Sequence, residues 1–566
     1  MLARRACSLL DDFMPRFKPY DYRQDWMVSI SFAAQLPEGS LEYAFHHLIE
    51  ERVAEEWFES LYQNDEIGRP AYSPKLLLKV ILLGYARGII GSRRLERACR
   101  ENVVFMAMAC GNAPDHSTLA AFVGKLEGRI EGIFSQILLV CHEEGLLSGT
   151  HLSLDGVKLP GNASRESSGT LSELRFKAEK LRRKVKEQMV EHRRQDRLDR
   201  KRGDRTLEER AAEKKRRLAR KEKLLAQAAR LERFVEEVAP KEGRRGKEVQ
   251  SNVTDNDSAK MTTSHGVIQG YNAQALVDEK NQIIVHGQTS GVGQDYGQIG
   301  PILEGAKEML ALSGLAEELP LEGAQLSADS NYHSEENLAA CEEAGVDPYI
   351  PDNHYRQRDT RFTTQERHKR RVKKELFTLG DFTYLEKSDR YRCPQGVELR
   401  LCARAHRTNR GETYRRYRAR AADCAQCPLR ARCLSAGATR RSLAVPVGAQ
   451  PARRSARMRQ KIDLPESRRI YARRQGIVEP VFANLRSNKR LDHFTYRGQV
   501  KSNIQWLLYC LVHNLEKIAH KSKTYGGKKP LRTLFWLSHR LLEQLRSGQS
   551  AFSPIGSVLS LRLTHS

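Results

Sequence analysis

The segment from 170 to 239, dense in Lys, Arg and Glu, follows directly on a short strand-like stretch, Thr150-His-Leu-Ser-Leu-Asp155, and constrains the fold most. Thr170-Leu-Ser-Glu173 and Thr206-Leu-Glu-Glu209 both fit the capping box that starts a helix, and Gly203-Asp204 between them suits a turn. Apolar residues at 171, 174, 178, 181 and 185, and at 224, 228, 231, 235 and 238, follow the spacing of an antiparallel helical seam. No sheet accommodates such a segment, so it must project as an inserted hairpin, roughly 45 Å long at about 1.5 Å per residue. Whatever fold begins with the strand at 150 resumes only after it. A solvated arm and an arm that grips DNA or a second chain both suit this composition.

Beyond the hairpin the period is that of strands. Gly266 to Val277 and Gln282 to Thr289, joined by a polar turn at 278–281, read as a β-hairpin. A helix near 297–313, a strand Ala324–Asp329, a helix near 334–344 and a short strand Pro348–Ile350 follow. With the strand ending at Asp155, this is the order of an α/β, RNase H-like mixed-sheet core, which sets its first and fourth strands side by side. Asp155 and Asp329 would then meet across 174 residues of sequence.

The other blocks are helical or basic. Residues 26–145 read as helices, with Ser73-Pro74 as N-cap and first helical position of one of them. Such a basic bundle either docks into a DNA groove, as helix-turn-helix modules do, or is simply a packed bundle with solvated arginines. Residues 351–460 read as a basic, loop-rich insertion. The divisions expected are a helical DNA-binding domain at 1–147, the core in 148–163 and 251–350, the charged hairpin in 164–250, the Cys-rich insertion in 351–460, the end of the core in 461–525 and a basic tail in 526–566.

Lys plus Arg number 96 against 70 Asp plus Glu, a net charge of +26, which is the footprint of a protein that neutralises phosphates. The most apolar run, Leu76 to Leu83, is broken by Lys79 and falls far short of the roughly 20 residues of a membrane span. The first twelve residues lack a secretory signal's apolar core, so the expected location is cytoplasmic, on the nucleoid when bound to DNA. Eleven scattered cysteines argue against a disulfide scaffold. One cluster, Cys393, Cys424, Cys427 and Cys433, suits a structural zinc ion, with Cys402 as an alternative to Cys393.

A third acid, Glu479, sits in Tyr471-Ala-Arg-Arg474-Gln-Gly-Ile-Val-Glu479-Pro. At about 100° per residue, Tyr471, Arg474, Val478, Glu479, Phe482 and Arg486 fall within an arc of roughly 140° on one helix, with Pro480 a local kink. These stretches, together with Asn252-Val-Thr-Asp255-Asn-Asp257 and His265 to Gln274, resemble bacterial insertion-sequence transposases of the DDE type, near the insertion-sequence-1182 group, over about residues 25–520. The resemblance implies that Asp155, Asp329 and Glu479 form a catalytic triad holding Mg²⁺ or Mn²⁺. Tyr471, Arg474 and Arg486 would be accessory residues on phosphate or DNA. It further implies double-stranded DNA as partner, binding to terminal inverted repeats, metal-dependent cleavage and strand transfer, and a homodimer on DNA. A catalytically silent DNA-binding descendant and a plain RNase H-like nuclease are the alternatives. Arg486 stands where the family pattern has Lys, and Asn331 where it has Gly.

Overall fold

The computed structural model describes residues 29–62, 70–202, 206–243, 246–362, 376–407, 413–435, 437–447, 454–522 and 524–525. The first twelve residues, the Gly203-Asp204 turn and the 526–566 tail lie outside the described residues.

The first helices are α1 (Leu41–Arg52), α2 (Glu56–Glu59), α3 (Pro74–Ala86), α4 (Ser92–Glu101), α5 (Val103–Met108), α6 (His116–Lys125) and α7 (Ile130–Glu143). Ser73 is the N-cap of α3 and Pro74 its first residue, although the Ser73 hydroxyl turns to Glu55 and not to the helix. Asp115 caps α6, accepting from the backbone of Ser117 and Thr118 at 2.9 and 3.0 Å. Helix α3 is buried almost all round because it is enclosed by other helices.

Strand β1 (His151–Pro160) comes next, then β2 (Ser168–Gly169), the long helices α8 (Leu171–Arg202) and α9 (Leu207–Glu237), and β3 (Ser251–Asn252), which pairs with β2. Both capping boxes form. Leu174, Ala178, Val185, Ala228 and Leu231 are buried along the seam, and Arg182 forks onto Glu232 across it. β4 (Ala259–Thr263), β5 (Gly266–Asp278), β6 (Ile284–Ser290), α10 (Ile299–Leu312), β7 (Gln325–Ala328), α11 (Glu335–Glu343), β8 (Asp347–Tyr349) and α12 (Tyr355–Arg358) follow.

The main sheet runs β4-β5-β1-β7-β8, with β6 also on β5. β1 is antiparallel to β5 and parallel to β7, and β7 is parallel to β8. The fold is thus mixed α/β with a mixed sheet. β1 continues to Pro160 and does not end at Asp155, because β5 is long enough to pair with it up to Pro160↔Gly270. β4 had no counterpart in the sequence reading.

The 351–460 segment is less loop-rich than its composition suggests. It folds β9 (Thr383–Leu385), β10 (Arg390–Arg392), β11 (Glu398–Arg407), β12 (Thr413–Arg418), α13 (Ala421–Ala425), α14 (Arg430–Cys433) and β13 (Ser442–Pro446), whose strands form one antiparallel sheet. Helices α15 (Arg454–Ile462), α16 (Pro465–Ala483) and α17 (Gln499–Lys521) complete the chain. α16 crosses β1, β7 and β8, while α17 packs on β6 and on α3 and α7. Tyr85 stacks on Tyr509 at 4.8 Å, so the first helices share the core beneath the sheet.

Candidate active site

Parallel pairing sets Leu154 opposite Ala328, so Asp155 on β1 and Asp329, the first residue after β7, follow that pair on adjacent segments. β7 stops there because Asp329 turns its carboxylate onto the backbone of Asn331 at 2.8 Å and caps a single 3₁₀ turn, Ser330–Tyr332. Asn331 is absent from the residues with positive φ, so that turn needs no glycine.

Asp155 accepts from Gly156 N at 2.9 Å, and its other oxygen lies 2.7 Å from an Arg474 guanidinium nitrogen. Burial pushes the Asp155 carboxyl up to about 6; Arg474 and the Gly156 amide pull it down, and Asp329 and Asp295 push it up again. Burial also raises Asp329, against the Asn331 amide and Arg474.

Asp295 belongs to this group although its sequence neighbourhood drew no attention to it. It lies in the glycine-rich link between β6 and α10 and accepts from Asn272 Nδ2 at 2.8 Å and Gln274 Nε2 at 3.2 Å. Both amides project from β5, where Gln274 faces Gly156 across the ladder. Gly156 leaves them room: a Cβ there would overlap the Gln274 amide nitrogen and come within 3.0 Å of Asn272 Oδ1. The buried Tyr332 hydroxyl donates to Gln274 Oε1, which ties the turn after Asp329 to the same amide. Asn272 is 1 % exposed, and its Oδ1 has no hydrogen-bond partner among the described residues. The signal that could have found Asp295 is an acid among Gly291, Gly293 and Gly297 just past a strand end.

Helix α16 divides its six marked residues. Arg474 meets Asp155; Tyr471 packs edge-on to Tyr355 at 5.5 Å and is pushed up by burial. Glu479 and Arg486 are exposed, and among the described residues neither makes a hydrogen bond or ion pair. Arg474 and Glu479 are five residues apart, about 140° around the helix, so an arc wide enough to contain both puts them at its opposite edges. Pro480 leaves the Gly476 carbonyl without its helical donor, and Gln282 Nε2 fills that place at 2.8 Å. The helix then widens into a π-turn over Asn484–Asn488, which carries Arg486.

The oxygen donors of Asp155, Asp329, Asp295 and Asn272 are of the type a hard divalent cation takes. Among the described residues, however, no three acidic, His or Cys side chains stand close enough to grip an ion, and Arg474 occupies Asp155 instead. The same absence covers the cysteines. Cys433 is buried, and Cys424, Cys393 and Cys427 nonetheless lie near enough to push its thiol up, after burial and against Arg441. Cys402 is exposed and bonds the Arg416 carbonyl.

Two carboxylates from neighbouring chain segments of the sheet, answered by one guanidinium, form an acidic cluster compatible with phosphodiester chemistry. Comparison with protein families agrees: residues 392–519 match the transposase DDE domain, and residues 30–125 match DUF772, a transposase domain. Together these support a DDE-type transposase. Neither match includes Asp155 or Asp329. No curated protein and no solved structure matched the chain. No helix among the described residues is long and apolar enough to cross a membrane.

Proposed function

We propose that the chain is the transposase of an insertion sequence near the 1182 group, built on an RNase H-like core. On this reading it binds the element's terminal inverted repeats as a homodimer, cleaves the DNA there and joins the freed 3′ end to target DNA. The strand order β6-β5-β1-β7-β8 supports the RNase H-like assignment. The observation that carries the reading is the pairing that sets Asp155 and Asp329 side by side with Arg474 opposite.

Mg²⁺ or Mn²⁺ in this site would supply an activated water and stabilise the departing oxygen. Asp155 and Asp329 would hold the ion, and two acids are candidates for the third place: Glu479 has the motif, and Asp295 has the position. Arg474, freed from Asp155, is placed to fork onto a phosphate. Cys393, Cys424, Cys427 and Cys433 would pin the small sheet with a structural zinc ion.

Incubating the protein with a plasmid carrying element ends and Mg²⁺ or Mn²⁺ tests this. Asp329→Asn should keep end binding and lose cleavage, and joining of a pre-cut end separates strand transfer from plain nuclease action. Wild-type protein that binds but never cleaves would overturn the enzymatic reading in favour of a silent descendant.

A further inference from the structure

The antiparallel sheet β13-β12-β11-β10-β9 has two very different faces. One covers a small core, with Leu399, Tyr417 and Leu443 at 0, 1 and 3 % exposure. On the other, strand register places Arg390 directly opposite Arg400, and Arg400 directly opposite Arg418. Three arginines therefore stand abreast on three successive strands. Alternation adds Arg392 and Arg416 to that face. Its strands carry one acid there, Glu398, and Arg390 and Arg392 hold its two oxygens at 2.9 and 3.8 Å. Arg400 and Arg418 are exposed.

Folding alone does not favour this arrangement. Like charges directly opposite in a sheet destabilise it, on a scale of about 0.2–1 kcal/mol per pair. A solvated face would be served as well by mixed charges or threonine. A polyanion, in contrast, turns the repulsion into attraction. We infer that this arginine face grips the sugar-phosphate backbone of duplex DNA.

The row spans two inter-strand gaps, about 10 Å in all, long enough to meet more than one phosphate of a backbone that carries one per roughly 3.4 Å of helix axis on each strand. Arginine is suited to the task, since its planar fork pairs with phosphate oxygens two at a time. Backbone contacts of this kind position a protein without reading sequence. The choice of DNA over other polyanions rests on the transposase reading above; the cationic face itself does not.

Binding of the full-length chain to a short duplex of arbitrary sequence, followed by fluorescence anisotropy over a range of salt, tests the inference. Each phosphate contact contributes about 0.9 to the slope of log affinity against log salt, so Arg400→Gln with Arg418→Gln should flatten it by about 1.8. Between about 50 and 200 mM salt the wild type should then lose about 12-fold more affinity than the variant. The thermal midpoint of that variant should stay level or rise, and Arg400→Lys with Arg418→Lys should restore most of the slope. An unchanged slope in the Gln variant overturns the inference, as does a loss confined to duplex RNA. Wild-type protein with no affinity for DNA would instead sink the transposase reading, and with it the choice of partner.

Discussion

Gly156→Ala tests how tightly the acidic site is built. The new methyl group would overlap the Gln274 amide nitrogen and sit 2.8 Å from its Cδ. A side-chain end normally swings aside, but Gln274 is 1 % exposed and engaged at both atoms, by the Tyr332 hydroxyl and by Asp295. Its carbonyl also accepts from Trp506 Nε1 at 2.9 Å, which holds the backbone. Losing the neutral bond costs about 1 kcal/mol and the charged one about 1.5–3 kcal/mol. Overpacking adds about 1–3 kcal/mol, for a total of about 3.5–7 kcal/mol. Gly476→Ala is the control, since a Cβ there meets nothing within 4 Å and a helical Gly→Ala change should stabilise by about 0.5–1 kcal/mol. Urea unfolding of both variants measures the difference, and in the Gly156→Ala background Gln274→Ala should cost far less than it does alone. If Gly156→Ala unfolds within about 1 kcal/mol of wild type, the amide is not fixed as described and Asp295 is not anchored through it to β5.

Burial lowers His286 and His513 each to about 4, so both stay neutral in the fold while the unfolded chain takes up protons near 6.5. Their stabilisation, about 3 kcal/mol each, is present above pH 6.5 and lost as pH falls toward 4; urea midpoints at pH 7 and 5 should fall less for His286→Leu than for wild type. Asp155 opposes this, because its folded value is raised and its stabilisation is lost as pH rises through about 6. Mn²⁺ should raise the thermal midpoint of the wild type, and Asp295→Asn should reduce that shift more than Glu479→Gln; the reverse order returns the third place to Glu479. Protein purified without chelator should carry about one zinc per chain by elemental analysis, and Cys427→Ser should lose it; zinc-free wild type refutes the Cys₄ assignment.

What was legible in the sequence was what periodicity and caps encode locally. The hairpin was readable because each helix begins with a capping box and keeps its apolar seam for many turns. The pairing of Asp155 with Asp329 was readable because strand order sets β1 beside β7, although β1 runs on past Asp155. The arginine sheet was not, because Tyr-Arg-Arg-Tyr-Arg breaks the period-two alternation of a strand and its arginines are a polar residue type that loops share. Asp295 was hidden for a different reason. Its role depends on two amides of β5 and on the missing side chain of Gly156, none of which leaves a periodic trace. Glu479 shows the limit of a helical arc: a 140° width is compatible with a residue at the site and equally with one facing solvent, and only packing of Val478 and Val481 onto the sheet decides which.

The charge balance of the site explains why it is poised for a cation. Asp155 and Asp329 face one guanidinium, Arg474, which is itself largely buried, and Asp295 adds its charge from beyond the Asn272 and Gln274 amides. Fully ionised, the three carboxylates leave two negative charges uncompensated where water is scarce, and such a deficit is costly. Without an ion, Asp155 meets part of it by holding its proton up to about pH 6. A divalent cation would meet the whole of it, and in doing so would lower the need for Arg474 at Asp155. The same exchange would release the guanidinium toward an incoming phosphate, so that on the proposed function cation binding and DNA engagement would reinforce each other. Arg474→Gln should accordingly weaken DNA binding more when Mn²⁺ is present than when it is absent, as read by anisotropy with and without the ion. Equal losses under both conditions would show that Arg474 serves the fold alone.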